Sequence, residues 1–198
     1  MSAQQPPPGP PQRPDAADSP WRTLAAREAY RNAWLSITEY QVLRPDGAPG
    51  IYGVVNPGDN VTIVALDEDQ QVWVVEDYLY TIQRWSWFLP SGAIDPEEDA
   101  LHAGRRELLE ETGLRAARWD LLGACYLSPG ISTQRSYLYL ARELTEGQPQ
   151  REPAEARMTA HRLPLREALT ASRTSETASA VTMLGLMLAW EAIQAEAE

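Results

Sequence analysis

The chain has 198 residues, 43% of them hydrophobic, enough for one domain with a proper core. Its net charge of -11, from 28 acids against 17 bases, excludes general nucleic-acid binding, which needs a basic footprint. It permits a small anionic substrate, because local arginines and a metal can supply positive charge.

Residues 1–19, MSAQQPPPGPPQRPDAADS, are rich in Pro, Gln and Ala and lack apolar periodicity. They read as a disordered tail or, alternatively, a Pro-rich ligand for a partner, ahead of a domain over 20–198. The tail lacks the basic and apolar blocks of a signal peptide. The longest apolar run, 178–190, is interrupted by Thr and Gly and is too short to span a bilayer. A single cysteine, Cys125, excludes an internal disulfide and reads as a buried structural thiol. These features point to a cytoplasmic protein with no membrane partner.

Residues 34–43 (WLSITEYQVL) alternate enough for an early strand, and Gly53-Val54-Val55 precedes a turn at 56–59. Residues 61–66 and 71–75 read as a hairpin around Asp67-Glu68-Asp69. Residues 85–89 lead into an LPSG turn. Strands are expected over 117–126, 136–141 and 158–163, then helices over 165–171 and 175–195. This order implies an α/β domain, a mixed β-sheet sandwiched between α-helices.

Between these strands lies the most constrained segment, 92–114, GAIDPEEDALHAGRRELLEETGL. A helix can start at Asp95-Pro96 or at a second cap, Asp99, and Gly113 stands where a left-handed C-terminal residue is wanted. On such a helix Glu107, Glu110 and Glu111 span an arc of roughly 100°. Leu101 and Leu108 share a neighbouring arc that would face the core. Crowded carboxylates destabilise an isolated helix, and a hard cation with oxygen ligands removes that cost. The plainer reading is a solvated face with an ordinary Arg106–Glu110 pair. That reading leaves the register of Gly92, Glu98 and Gly113 unexplained.

The spacing Gly92, Glu98, Arg106-Glu107-Leu108, Glu110-Glu111, Gly113-Leu114 resembles the Nudix box, so the chain resembles the Nudix hydrolases over residues 34–190. The resemblance implies a Nudix fold and a metal-dependent diphosphatase, with Mg2+ or alternatively Mn2+ as cofactor. It implies metal ligands at Glu107, Glu110, Glu111 and the Ser91 carbonyl, with Glu98 and Arg106 as an orienting pair. The segment Ser128-Pro129-Gly130, whose Pro129 lies sixteen residues after Gly113, resembles the loop of ADP-ribose and nucleoside-diphosphate-sugar pyrophosphatases. A nucleoside diphosphate linked to a sugar is then the implied substrate, and a homodimer paired through N-terminal strands the implied assembly.

Three positions depart from that subfamily. Gln134 stands where a general-base Glu is expected, Leu79 where Arg is common, and Phe88 where an acid precedes LP. An amide can orient water but cannot accept its proton. The base then falls to Glu107 or Glu111, or to a loop acid such as Glu152 or Glu155. Arg84 and Arg135 are candidates for phosphate binding, with surface ion pairs as the alternative. Trp85 and Trp87 share one strand face and are candidates for stacking a base, with packing favoured for at least one of them. Pro129 and Gln134 complete the candidate substrate contacts. Tyr126 can line a pocket or simply pack, and His102 and His161 lack ligand spacing. Alternative functions are a Nudix hydrolase of another nucleotide diphosphate and a nucleotide-binding module with little turnover.

Overall fold

A computed structural model describes residues 19–151 and 153–197. The proposed tail, apart from Ser19, and Glu152 lie outside the described residues. Strands β1 (Arg22–Arg31), β2 (Ser36–Leu43) and β3 (Pro49–Asn56) form an antiparallel three-stranded sheet with β2 at its centre. The β1–β2 turn is held by the Asn32 side chain, whose oxygen accepts from the Trp34 and Leu35 backbone N–H groups at 2.8 Å each. Strand β1 has no sequence signature because it has no buried face: all ten residues are exposed.

The second sheet holds β4 (Asn60–Leu66), β5 (Gln71–Leu79), β6 (Arg84–Phe88), β7 (Ser91–Ala93), β8 (Arg115–Tyr126), β9 (Arg135–Thr145) and β10 (Thr159–Pro164). Its order is β10-β5-β4-β9-β8, mixed because β4 and β9 run parallel while the other pairs are antiparallel. Strands β4 and β5 pair only at Ala65–Trp73 and Leu66–Val72. Beyond that they part, and the segment from β6 to β7 fills the fork, β6 on β5 and β7 on β4. The fork delivers Ser91 and Gly92 against helix α1 (Ala100–Thr112).

Alternation along β4 sorts the core into two layers. Val61, Ile63 and Ala65 pack with Ala103 and Leu108 of α1, while Val64 and Leu66 pack toward α2 (Leu165–Thr174) and α3 (Ala180–Ala197). Gly185 lets α3 lie close on the sheet, since a Cβ there would come within 2.8 Å of Leu89 Cδ1. The mixed sheet between helices is therefore as the element order implies.

One open alternative is decided and two local expectations need correction. The helix in the box starts from Asp99, whose carboxylate accepts from the His102 N–H at 2.8 Å, whereas Asp95 closes a separate turn with Glu98. Helix α3 begins at Ala180 and not at Ser175. The Ser175 N–H is spent on the Ala171 carbonyl that ends α2, and Ser179 caps α3 by accepting from the Thr182 N–H at 3.1 Å. Cys125 is half-buried, on a β8 whose residues alternate between half-buried and exposed.

Candidate active site

Helix α1 presents its acids unequally. Leu108 is fully buried and Leu101 only half-buried, so the inward face turns toward Ala103, Glu107, Leu108 and Glu111. Glu111 is 1% exposed and Glu107 8% exposed, while Glu110 is partly exposed. Two carboxyl groups thus stand in the low-dielectric fork between α1 and β7. The Ser91 N–H donates to Glu111 Oε2 at 3.0 Å, and a Cβ on Gly92 would overlap the Glu107 carboxylate. Glycine is required at 92 for this close approach.

Burial pushes Glu107 up to about 7, with the nearby Glu110 and Glu155 carboxylates adding to the shift and Arg106 opposing it. Burial likewise raises Glu111 well above the usual carboxylate range, helped by Glu107 and Glu155. Arg106 gathers the remaining acids. Its Nε and Nη2 bond Glu98 at 3.2 and 2.9 Å, its Nη1 bonds Glu107 at 2.7 Å and Glu110 at 3.1 Å, and Nη2 also reaches the Ala93 carbonyl at 2.9 Å. Hydrogen bonds from Arg106 hold Glu98 below the usual carboxylate range. Glu98 also meets His102 Nδ1 at 3.0 Å, which gives that exposed histidine a structural partner.

The loop after β9 returns to the end of this helix. The Gln150 N–H bonds the Glu110 carbonyl at 2.9 Å and Arg151 Nε bonds the Glu111 carbonyl at 3.0 Å, satisfying backbone groups that a helix end leaves open. Gly113, at φ 79°, permits the crossing, because a Cβ there would lie 2.7 Å from the Gly147 carbonyl oxygen. The loop then forms a short 3-10 turn at Pro153–Glu155 and sets the Glu155 carboxylate within electrostatic reach of both Glu107 and Glu111. A loop acid was legible as an option in the sequence; the tying of this loop to α1 was not.

Among the described residues, no three acidic, histidine or cysteine side chains are grouped as they stand to hold a cation, and Arg106 Nη1 lies between Glu107 and Glu110 instead. The donors nonetheless suit a hard divalent cation: they are carboxylates, and those of Glu107 and Glu111 are pushed toward protonation by burial and by neighbouring acids.

The remaining candidates fall elsewhere. Residues 127–134 dock on β3, with the Val55 N–H donating to Ile131 O at 2.8 Å, Thr133 N–H to Val55 O at 3.2 Å and Tyr52 Oη to Gly130 O at 2.8 Å. Pro129 and Gln134 belong to that docked loop, and the Gln134 carbonyl accepts from the Leu127 N–H at 3.1 Å. The Arg135 N–H donates to Asp59 Oδ1 at 2.9 Å, and its guanidinium lies over Tyr126 and Tyr137 at 5.6 and 5.1 Å. Tyr137 and Asp59 line a cleft of about 480 Å3 with Glu98 and Asp99 at the start of α1. Arg84 pairs with Glu176 at 3.1 Å, the surface ion pair. Trp87 packs on the core, and Trp85 is exposed.

Comparison with known proteins gives the family and the fold. Residues 56–182 match the family described as NUDIX domain, and residues 21–55 match the nucleoside diphosphate sugar hydrolase N-terminal domain. An ADP-ribose pyrophosphatase of Mycobacterium tuberculosis is 31% identical over 173 residues, covering 86% of this chain and 84% of that protein. An ADP-ribose pyrophosphatase of Bacillus subtilis is 24% identical, covering 66% and 71%. A solved structure described as an ADP compounds hydrolase superposes with a TM-score of 0.79 at 21% identity, over 89% of this chain and 95% of that one, a likeness of fold.

Proposed function

The chain belongs to the NUDIX hydrolase family, and from that premise we propose that it is a pyrophosphohydrolase for a nucleoside diphosphate linked to a sugar or similar group, of the ADP-ribose kind. The observation that carries the reading is the buried pair Glu107–Glu111 in the fork beside Ser91 and Gly92. Residues 20–198 act as the catalytic unit in this reading, in the cytoplasm.

Glu107, Glu110, Glu111 and the Ser91 backbone would hold the cation, Mg2+ or alternatively Mn2+. Once bound, it supplies charge to the diphosphate oxygens and acidifies a water molecule. Glu98 fixes Arg106, and Arg106 orients Glu107 and Glu110. We assign Glu155 as the acceptor of the proton from the attacking water, since its carboxylate stands by the two buried acids. The water oxygen bonds to one phosphorus, the bridging P–O bond breaks, and its electron pair leaves on the second phosphate. Products are a nucleoside monophosphate and a sugar phosphate.

The test is release of phosphate monoester from a panel of nucleotide sugars, dinucleoside polyphosphates and nucleoside triphosphates with Mg2+ present. Turnover that falls by orders of magnitude in Glu111→Gln, with folding retained, supports the reading. Tight nucleotide binding without turnover of any diphosphate would sink it in favour of a binding module.

The same reading includes a homodimer formed through the three-stranded sheet. Edge strand β1 is exposed along its whole length, and Leu24, Tyr30 and Ile51 show 51, 52 and 71% exposure on that sheet. Sedimentation equilibrium should give twice the chain mass, reduced to one by Leu24→Glu with Ile51→Glu.

A further inference from the structure

Strands β5 and β6 end on an aromatic platform that the core does not use. Tyr78 and Trp85 are opposite each other in register, their rings meet edge to face at 5.9 Å and 70°, and they remain 44 and 45% exposed. Over the Trp85 ring, at 5.5 Å from its centroid, lies the guanidinium of Arg157. No ion pair of Arg157 is found among the described residues, in a chain of net charge -11. Leaving this much aromatic surface in water is costly, and a planar ligand stacked on it recovers that cost.

The platform is tied through the chain to the segments that carry the reacting groups. Arg157 is two residues beyond Glu155, at most about 7 Å along the chain, and Glu155 acts on both Glu107 and Glu111. Trp85 stands in the strand that runs directly into the Ser91–Gly92 fork. A substrate whose diphosphate lies at the buried acids can extend its organic end toward Trp85 and pass Arg157 on the way.

We propose that Trp85, Tyr78 and Arg157 form the subsite that stacks the nucleobase of the substrate, with Arg157 also facing the adjoining phosphate. The assignment rests on the reading of the chain as a nucleotide-cleaving enzyme. Recognition here is by faces, since a ring and a guanidinium present π surfaces and few fixed acceptors. The subsite therefore separates planar from non-planar groups more strongly than one base from another.

The experiment compares two product-like ligands, AMP, which has a base, and ribose 5-phosphate, which has none. Dissociation constants are measured by calorimetry on the full chain with Mg2+, together with inhibition constants wherever turnover is seen. Trp85→Ala should weaken AMP about tenfold and leave ribose 5-phosphate unchanged. Trp85→Phe should recover most of the loss. Arg157→Lys should recover only part of the AMP affinity that Arg157→Ala loses, because it keeps the charge facing the phosphate but loses the planar stack. An AMP affinity indifferent to Trp85→Ala, or an equal loss for both ligands, overturns the subsite. Absence of turnover in the wild-type chain with AMP binding still dependent on Trp85 would overturn the hydrolase reading and leave the subsite standing.

Discussion

The guanidinium of Arg106 meets the carboxylate of Glu98 side by side, Nε to Oε1 at 3.2 Å and Nη2 to Oε2 at 2.9 Å. Glu98 precedes the helix and Arg106 is in its second turn, so this pair ties the box loop to α1. Because Arg106 also bonds Glu107 and Glu110, the clamp sets the positions of two proposed metal ligands.

Glu98→Ala should lower stability by roughly 1–3 kcal/mol, the worth of charge-assisted bonds to a buried carboxylate, discounted for the partial exposure of Arg106. Chemical denaturation reads the stability. Activity should fall further than stability accounts for, because Arg106 then loses the partner that fixes it while it orients Glu107 and Glu110. An Arg106→Lys variant should not recover the function, since one ammonium cannot make the paired contact.

Glu107 has its carboxyl pushed from 4.5 up to about 7 by burial. Without metal, the fold favours its protonated form. Its contribution to stability is therefore fully present below about pH 4.5 and lost as pH rises through about 7. The thermal midpoint in EDTA should fall between about pH 4.5 and 7 and level off above that. Divalent cations compete with that proton, so the rise in midpoint caused by Mg2+ should grow over the same window. An Mg2+ effect equal at both ends of the window would remove Glu107 from the ligand set.

Glu155 and Gln134 make opposite claims on the proton of the attacking water. Glu155→Gln should reduce kcat by about 100- to 10,000-fold with the fold intact. Gln134→Ala should change kcat by less than about tenfold, since the amide orients but does not accept. Single-turnover rates across pH separate the two. A large loss in the Gln134 variant with none in the Glu155 variant would reverse the assignment.

Gly92→Ala places a methyl group on the Glu107 carboxylate. Metal affinity and kcat should drop together by at least about tenfold, while the thermal midpoint without metal changes little, because the displaced carboxylate can turn toward solvent. Mg2+ titration followed by calorimetry checks it.

Much of the fold could be read along the chain. Strand β4 reads as a near-continuous apolar run because it is buried on both faces between two core layers, and the β4–β5 turn is written in Asp67, which accepts the Asp69 and Gln71 N–H groups at 2.9 and 2.8 Å. Strand β1 was not legible, having no buried side to impose a pattern. The start of α3 was misplaced because Ser175 and Ser179 both suit a cap, and only the end of α2 decides which one is available.

The sequence by itself determined that Glu107, Glu110 and Glu111 share a helical face, since a helix of fixed pitch converts spacing into direction. Tertiary structure decided what that face meets. The parting of β4 and β5 brings Gly92 against Glu107, and the crossing at Gly113 carries a loop some forty residues distant back to set Glu155 within electrostatic reach of the same acids. Arg84 and Arg135, equal candidates along the chain, went to Glu176 and to two tyrosines. Local geometry follows from neighbouring residues, whereas these meetings depend on which distant surfaces pack together and on the backbone groups left open where they do.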